Sequence, residues 1–286
     1  MRGTGPGSRS PVPGLDEPWR SLSLGGRAFP PASTAFPDTH MSASPRNVLV
    51  TGGTKGIGRA VARRLATEGH RVTCVYRGDD AAREACAREF SESGLTVDFE
   101  RVDLTEAPAV SALFTRLAQA EREPDILVNA AGLTRDAPLA FLSVTDFDAV
   151  LSANLRSTFL TCQQAVKPMV RRRFGRIINF SSPAALLGNE GQVAYAAAKA
   201  GVLGLTKTLA REVARYGITV NAVSPGVVMT EMTAHVPKER LAELVRRTPL
   251  QRAGTPEEIA GMVRMLCADE ASYITGQCLS IDGGLS

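Results

Sequence analysis

Asn47-Val-Leu-Val-Thr-Gly-Gly-Thr-Lys-Gly-Ile-Gly58 runs directly into Arg59-Ala-Val-Ala-Arg-Arg-Leu-Ala-Thr-Glu-Gly69. Val48-Leu-Val50 is a short continuous apolar run, the pattern of a strand buried on both faces, and it stops at glycine. The segment that follows has the spacing of a helix. Gly52, Gly56 and Gly58 at the junction permit a tight turn and let the backbone approach a pyrophosphate, whose charge a helix N-terminus stabilises. A phosphate loop of the nucleoside-triphosphatase kind is excluded, because Arg59-Ala60 stand where Lys and Ser or Thr are needed.

The same alternation continues downstream. Strand-like runs at 71–76, 96–103, 125–132, 176–182, 218–226 and 278–284 are separated by helix-length segments, one of them from about Asp79 to Ser93. Strands alternating with helices of this length predict βαβ units. The expected fold is therefore α/β: a Rossmann-type doubly wound parallel β-sheet of about seven strands with helices on both faces. Ligands of such sheets bind outside the carboxyl ends of the strands. That edge gathers Gly52, Thr54, Lys55, Gly56, Ile57, Gly58, Arg77, Asp103, Leu104, Asn129, Ala130, Ala131, Gly132, Pro225, Gly226 and Val228 as candidate dinucleotide-binding residues. The second strand ends Val75-Tyr76-Arg77-Gly78, with no acid before Asp79. A carboxylate there would select NAD, whereas Arg accommodates the 2′-phosphate of NADP. Arg77 with Lys55 favours NADP(H); the alternative is that both are solvated surface cations.

Upstream, residues 1–45 are rich in Pro, Gly and Ser and show no sustained periodicity, so a disordered tail is expected before one domain spanning 46–286. Met41 is an alternative start that would remove most of that tail. The whole chain has 286 residues, 44% hydrophobic and 22% charged, enough to bury a large core without staples. A net charge of +4 without clustering argues against nucleic acid. Five scattered cysteines without a C-x-x-C pair fit a reducing cytoplasm, not a zinc site or a disulfide framework. No apolar run reaches the roughly 18 residues of a membrane span.

Tyr195-Ala-Ala-Ala-Lys199 places a phenol and an ammonium one helical turn apart. Taken alone, that is an ordinary packed pair. Together with T-G-x-x-x-G-x-G at 51–58, Asn129-Ala-Ala-Gly132, Ser182 thirteen residues before Tyr195 and the following Pro225-Gly226, it resembles the short-chain dehydrogenase/reductase family over residues 46–286. The resemblance implies four catalytic residues: Asn154, Ser182, Tyr195 and Lys199. Tyr195 would be the general acid, with its pKa drawn down by Lys199. Tyr195 and Lys199 would also contact the dinucleotide, Lys199 by holding the nicotinamide ribose; Ser182 would orient the carbonyl oxygen, and Asn154 would hold a water that restores the proton. No metal is required. Ser181 is set aside because strand alternation turns it the other way. Pro183 departs from the small or β-branched residue usual after this serine.

Within the family, Gly132-Leu-Thr-Arg-Asp136, Gly188-Asn-Glu-Gly-Gln192, Ala210-Arg-Glu-Val213, Val227 to Met232, Tyr273-Ile-Thr-Gly276 and Asp282-Gly-Gly284 are most similar to 3-oxoacyl-[acyl-carrier-protein] reductases. The implied reaction is NADPH-dependent reduction of a 3-oxoacyl thioester on an acyl carrier protein, in a cytoplasmic homotetramer. The alternatives are a reductase or dehydrogenase of a free ketone, sugar or secondary alcohol, and a non-catalytic dinucleotide sensor. Arg171-Arg-Arg173 with Arg176 would dock the acidic carrier beside the pocket mouth, or else complement a helix C-terminus. Tyr216, where the resemblance places a second docking arginine, departs from the pattern. Residues 229–250 would form a helical lid over the substrate, with His235 as a surface residue. The sequon at Asn179 and the Arg77-Gly-Asp79 tripeptide are expected to be coincidences.

Overall fold

The computed structural model describes residues 45–286 except Met232. The amino-terminal tail and Met41 lie outside the described residues, as does the side chain of His235. The chain runs β1 (Asn47–Thr51), α1 (Gly56–Thr67), β2 (Arg71–Tyr76), α2 (Asp80–Glu92), β3 (Val97–Arg101), α3 (Ala107–Gln119) and β4 (Ile126–Asn129). It continues α4 (Val144–Leu151), a π-helical turn (Ser152–Arg156), α5 (Ser157–Arg172), β5 (Gly175–Phe180), α6 (Ala184–Leu187) and α7 (Val193–Val213). The last elements are β6 (Ile218–Pro225), α8 (Lys238–Arg247), α9 (Pro256–Cys267) and β7 (Cys278–Ile281).

All seven strands are parallel, in the order β3-β2-β1-β4-β5-β6-β7. Val50 stands between Cys74 on β2 and Val128 on β4. The chain therefore leaves β1 toward one side and returns on the other, which opens a crevice at the carboxyl ends of β1 and β4. Alternation along β1 sends Val48 and Val50 to one face with Leu65, Phe90, Ile259 and Leu266. Leu49 goes to the other face with Leu113, Leu127, Met169 and Ile177. Two buried faces explain why the central strands read as unbroken apolar runs. Leu127→Ala, deep in β4, is expected to cost about 2–5 kcal/mol, read as a lower urea midpoint at unchanged slope.

Helix ends follow local chemistry. Asp79 caps α2 by accepting from the Ala82 amide (2.9 Å). Thr255 and Glu258 cap α9 reciprocally, at 3.2 and 2.9 Å. Among the described residues no helix is long and apolar enough to cross a membrane.

The expectation that the arginine run sits beside the pocket mouth is corrected here. Arg171 and Arg172 end α5 and Arg176 opens β5, so they sit at the amino edge of the sheet, away from their own chain's crevice. Arg171 and Arg172 pair with Glu123 (2.9 and 3.0 Å), and Arg172 also reaches Asp125 (3.2 Å). Arg176 is buried, with its guanidinium on the Phe174 ring and 3.5 Å from Asp269. The helix-end alternative fits Arg171 and Arg172, which lie in the last turn of α5. The sequon is a coincidence as expected, since Asn179 is fully buried in β5.

Candidate active site

The crevice is a cleft of about 1120 Å³. Its floor is the turn that joins β1 to α1. Gly52 and Gly56 adopt left-handed φ values of 66° and 47°. A Cβ on Gly58 would lie 2.2 Å from the Gly52 carbonyl oxygen, so only glycine closes this turn. No side chain caps the N-terminus of α1 and no acid lies in its first turn. Its free amides and positive dipole end thus open on a cradle that suits a pyrophosphate.

Of the residues expected to bind the dinucleotide, Gly52, Thr54, Lys55, Gly56, Ile57, Gly58, Arg77, Asp103, Leu104, Ala130, Ala131 and Gly132 line the cleft. Asn129 does not: its amide donates to Asn179 Oδ1 (2.9 Å) and its Oδ1 accepts from Thr161 (2.8 Å). Asn179 in turn donates to Thr206 of α7 (2.9 Å). This buried chain of amides and hydroxyls braces β4, β5, α5 and α7 under the site, and leaves Asn129 only its backbone for a ligand. Pro225, Gly226 and Val228 stand at the end of β6 and beyond, outside the cleft wall. Thr230 and Glu231 line it instead, with Thr230 over Gly56 and Glu231 3.6 Å from Arg59. Their separation of more than 170 residues from the glycine turn hid this from sequence reasoning.

Arg77 lies in the cleft at the end of β2. Burial pushes the Asp103 carboxyl up, but the Thr105 amide and hydroxyl (2.9 and 2.7 Å) and the Arg77 charge hold it below the usual range. Lys55 is not a free second cation: it is ion-paired with Asp79, whose carboxyl that hydrogen bond and the Ala82 amide draw down.

The four candidate catalytic side chains gather where the cleft ends at Gly132. A Cβ on Gly132 would stand 2.8 Å from Asn154 Oδ1 and 3.7 Å from Lys199 Nζ. Asn154 is fully buried in the π-helical turn, and its amide donates to Leu133 O and Val150 O, both at 2.8 Å. Its Oδ1 has no protein partner, an acceptor left over in a buried place. Lys199 Nζ donates to Phe180 O (2.9 Å) and lies 5.5 Å from the centre of the Tyr195 ring. Ser182 accepts from the Ala184 amide (3.2 Å), and its hydroxyl draws the Tyr195 pKa down. Ser181 turns away and donates to Lys199 O (3.2 Å), as strand alternation requires.

The direction expected for the phenol is reversed in this state. Burial pushes Tyr195 up to about 12, the Ser182 hydrogen bond pulls it back, and the Asp136 charge adds to the rise. Burial also pushes Lys199 down to about 8. Desolvation penalises both charged forms. A lysine whose folded pKa is depressed destabilises the fold while it is protonated. That cost is fully present below about 8 and is relieved as pH rises toward the unfolded value. Lys199→Met is therefore expected to raise stability at pH 7 by about 1–3 kcal/mol. An unchanged or lower Tm in the variant would contradict the cost assigned to Lys199.

Residues 52–286 match a family model described as enoyl-(acyl carrier protein) reductase. The chain is 40% identical over 240 residues to a 3-oxoacyl-[acyl-carrier-protein] reductase of Staphylococcus aureus, covering 84% of this chain and 98% of that protein. It is 41% identical over 238 residues to a protein of the same description from Synechocystis, covering 83% and 95%. Among solved structures, a candidate gluconate dehydrogenase from Agrobacterium tumefaciens is similar with a TM-score of 0.80 and 34% identity, over 84% of this chain and 95% of the other.

Proposed function

The chain belongs to the short-chain dehydrogenase/reductase family of oxidoreductases acting between CH–OH and C=O, and we propose that residues 46–286 are one NADPH-dependent domain reducing 3-oxoacyl thioesters to 3-hydroxyacyl thioesters. The bound dinucleotide supplies the hydride. Tyr195 supplies the proton. At neutral pH it is a phenol, the form a reduction needs. Ser182, close enough to that phenol to draw its pKa down, shares the substrate oxygen and fixes its place. The spare Oδ1 of Asn154 accepts from a water that reprotonates the site through Lys199.

An apolar rim carries the thioester reading. Leu186 and Leu187 follow Ser182 on α6, Val193 starts the helix of Tyr195, and Met229 follows β6, all exposed at this edge. Such a mouth suits an acyl chain better than a polyol, whose hydroxyls would lose their hydrogen bonds there. The names of the relatives agree with it. A panel of acetoacetyl thioester on carrier protein, the simple thioester, an enoyl thioester, free ketones and gluconate tests the proposal. Preference for the carrier-bound 3-oxoacyl thioester supports it; turnover confined to gluconate or to the enoyl thioester sinks it.

NADP(H) is supported by Arg77, which faces the cleft where a 2′-phosphate would be read. Arg77→Ala is expected to weaken NADPH about 10–100-fold, the scale of a charged hydrogen bond, and NADH much less. Equal losses in a fluorescence titration would contradict the phosphate role. A cytoplasmic homotetramer completes the proposal, and sedimentation velocity reads the assembly.

A further inference from the structure

Two segments flank Tyr195 at the mouth of the site: residues 133–138 after β4, and residues 188–192 between α6 and α7. Three hydrogen bonds organise them. The Ala137 amide donates to Gly191 O (2.9 Å), Gln192 Nε2 donates to Asp136 Oδ2 (2.8 Å), and Asn189 Nδ2 donates to Gln192 Oε1 (2.9 Å). Gln192 is also the residue on which α7 starts, since its carbonyl accepts from the Ala196 amide (2.7 Å) three residues before Lys199. Gly188 and Gly191 hold left-handed φ values of 73° and 78°, so the loop takes a shape that side chains rarely tolerate. Its backbone is pliable, and side-chain bonds pin it. Arg135, next in sequence, turns away to Asp146 (3.8 Å).

We propose that Asp136 is a positioning residue for the reaction: through Gln192 it clasps the segment after β4 to the start of α7, and so holds the mouth of the site in register with Tyr195. The idea rests on the reading of Tyr195 as proton donor and adds a residue to it. Asp136 does not touch the reacting atoms. Its carboxylate has two effects, a tether to Gln192 and a negative charge felt at the phenol. The groups facing that phenol are Lys199 from one turn along α7, Ser182 from the end of β5, and Asp136 from across the mouth.

The two effects separate by substitution. Asp136→Asn keeps an oxygen for Gln192 and removes the charge. Asp136→Ala and Gln192→Ala remove the tether. In the full-length protein, hydrogen exchange of peptides spanning 133–138 and 188–194 is expected to quicken in both Ala variants and to stay as in wild type in Asp136→Asn. The Ala variants should lose about 2- to 10-fold in kcat, one hydrogen bond's worth, with the dinucleotide Kd unchanged. Asp136→Asn should restore most of that kcat. Wild-type exchange in both Ala variants, or a kcat in Asp136→Asn as low as in Asp136→Ala, overturns the proposal. The exchange measurement needs no turnover, so it stands apart from a failure of Tyr195→Phe to abolish activity, which would strike the proposed function itself.

Discussion

Tyr195→Phe is expected to lower kcat for ketone reduction by about 10²- to 10⁴-fold, the usual worth of a positioned proton donor. The change removes one oxygen and keeps the ring, so packing beside Lys199 is preserved. Ser182 retains its bond from the Ala184 amide, and Lys199 its bond to Phe180 O. The dinucleotide cleft does not include Tyr195, so the Kd for NADPH should stay within about 2-fold while kcat collapses. Steady-state kinetics with a parallel binding titration separates the two. Turnover near the wild-type rate would remove Tyr195 from the chemistry. A lost Kd with an intact single-turnover rate would make it a binding residue instead.

Gly58→Ala should do the opposite, and strike binding first. The added Cβ would meet the Gly52 carbonyl oxygen at 2.2 Å and its carbon at 2.9 Å, both backbone atoms. Gly52 has nowhere to retreat: its amide is bonded to Val75 O (2.9 Å), and its own Cβ direction already faces Ala131 backbone at 3.0 Å. The turn must open, which moves the first amides of α1 out of the cradle. Overpacking of this kind costs about 1–3 kcal/mol, so a loss of roughly 10- to 100-fold in NADPH affinity and a lower Tm are expected together. Gly261→Ala is the control. It lies in α9 with open space around its Cβ direction, so the same substitution should stabilise by about 0.5–1 kcal/mol. If Gly58→Ala behaved like Gly261→Ala, the cradle would not depend on that turn.

The strands and the glycine turn were legible because each is written locally. Val48-Leu-Val50 and Ile126-Leu-Val128 are apolar throughout because both faces of β1 and β4 are covered. The expected helix at 79–93 matches α2 with its two caps, since Asp79 is itself the capping side chain. Choosing Ser182 over Ser181 needed only the alternation of a strand. Several misreadings concern polar and charged groups. Lys55 looked free until α2 brought Asp79 to it, and Arg171 and Arg172 looked available until the turn before β4 supplied Glu123 and Asp125.

By itself, then, the amino-acid order determined the parallel sheet, the edge on which the site lies, and most of the residues that meet there. Backbone geometry and apolar periodicity act over a few residues, so they survive in a one-dimensional record. Only the tertiary structure decided which polar groups are already engaged, and in which direction burial moves the pKa values of Tyr195 and Lys199. Desolvation and Coulomb forces act through space. The phenol's rise to about 12 comes from the atoms packed around it and from Asp136, 59 positions away in the chain.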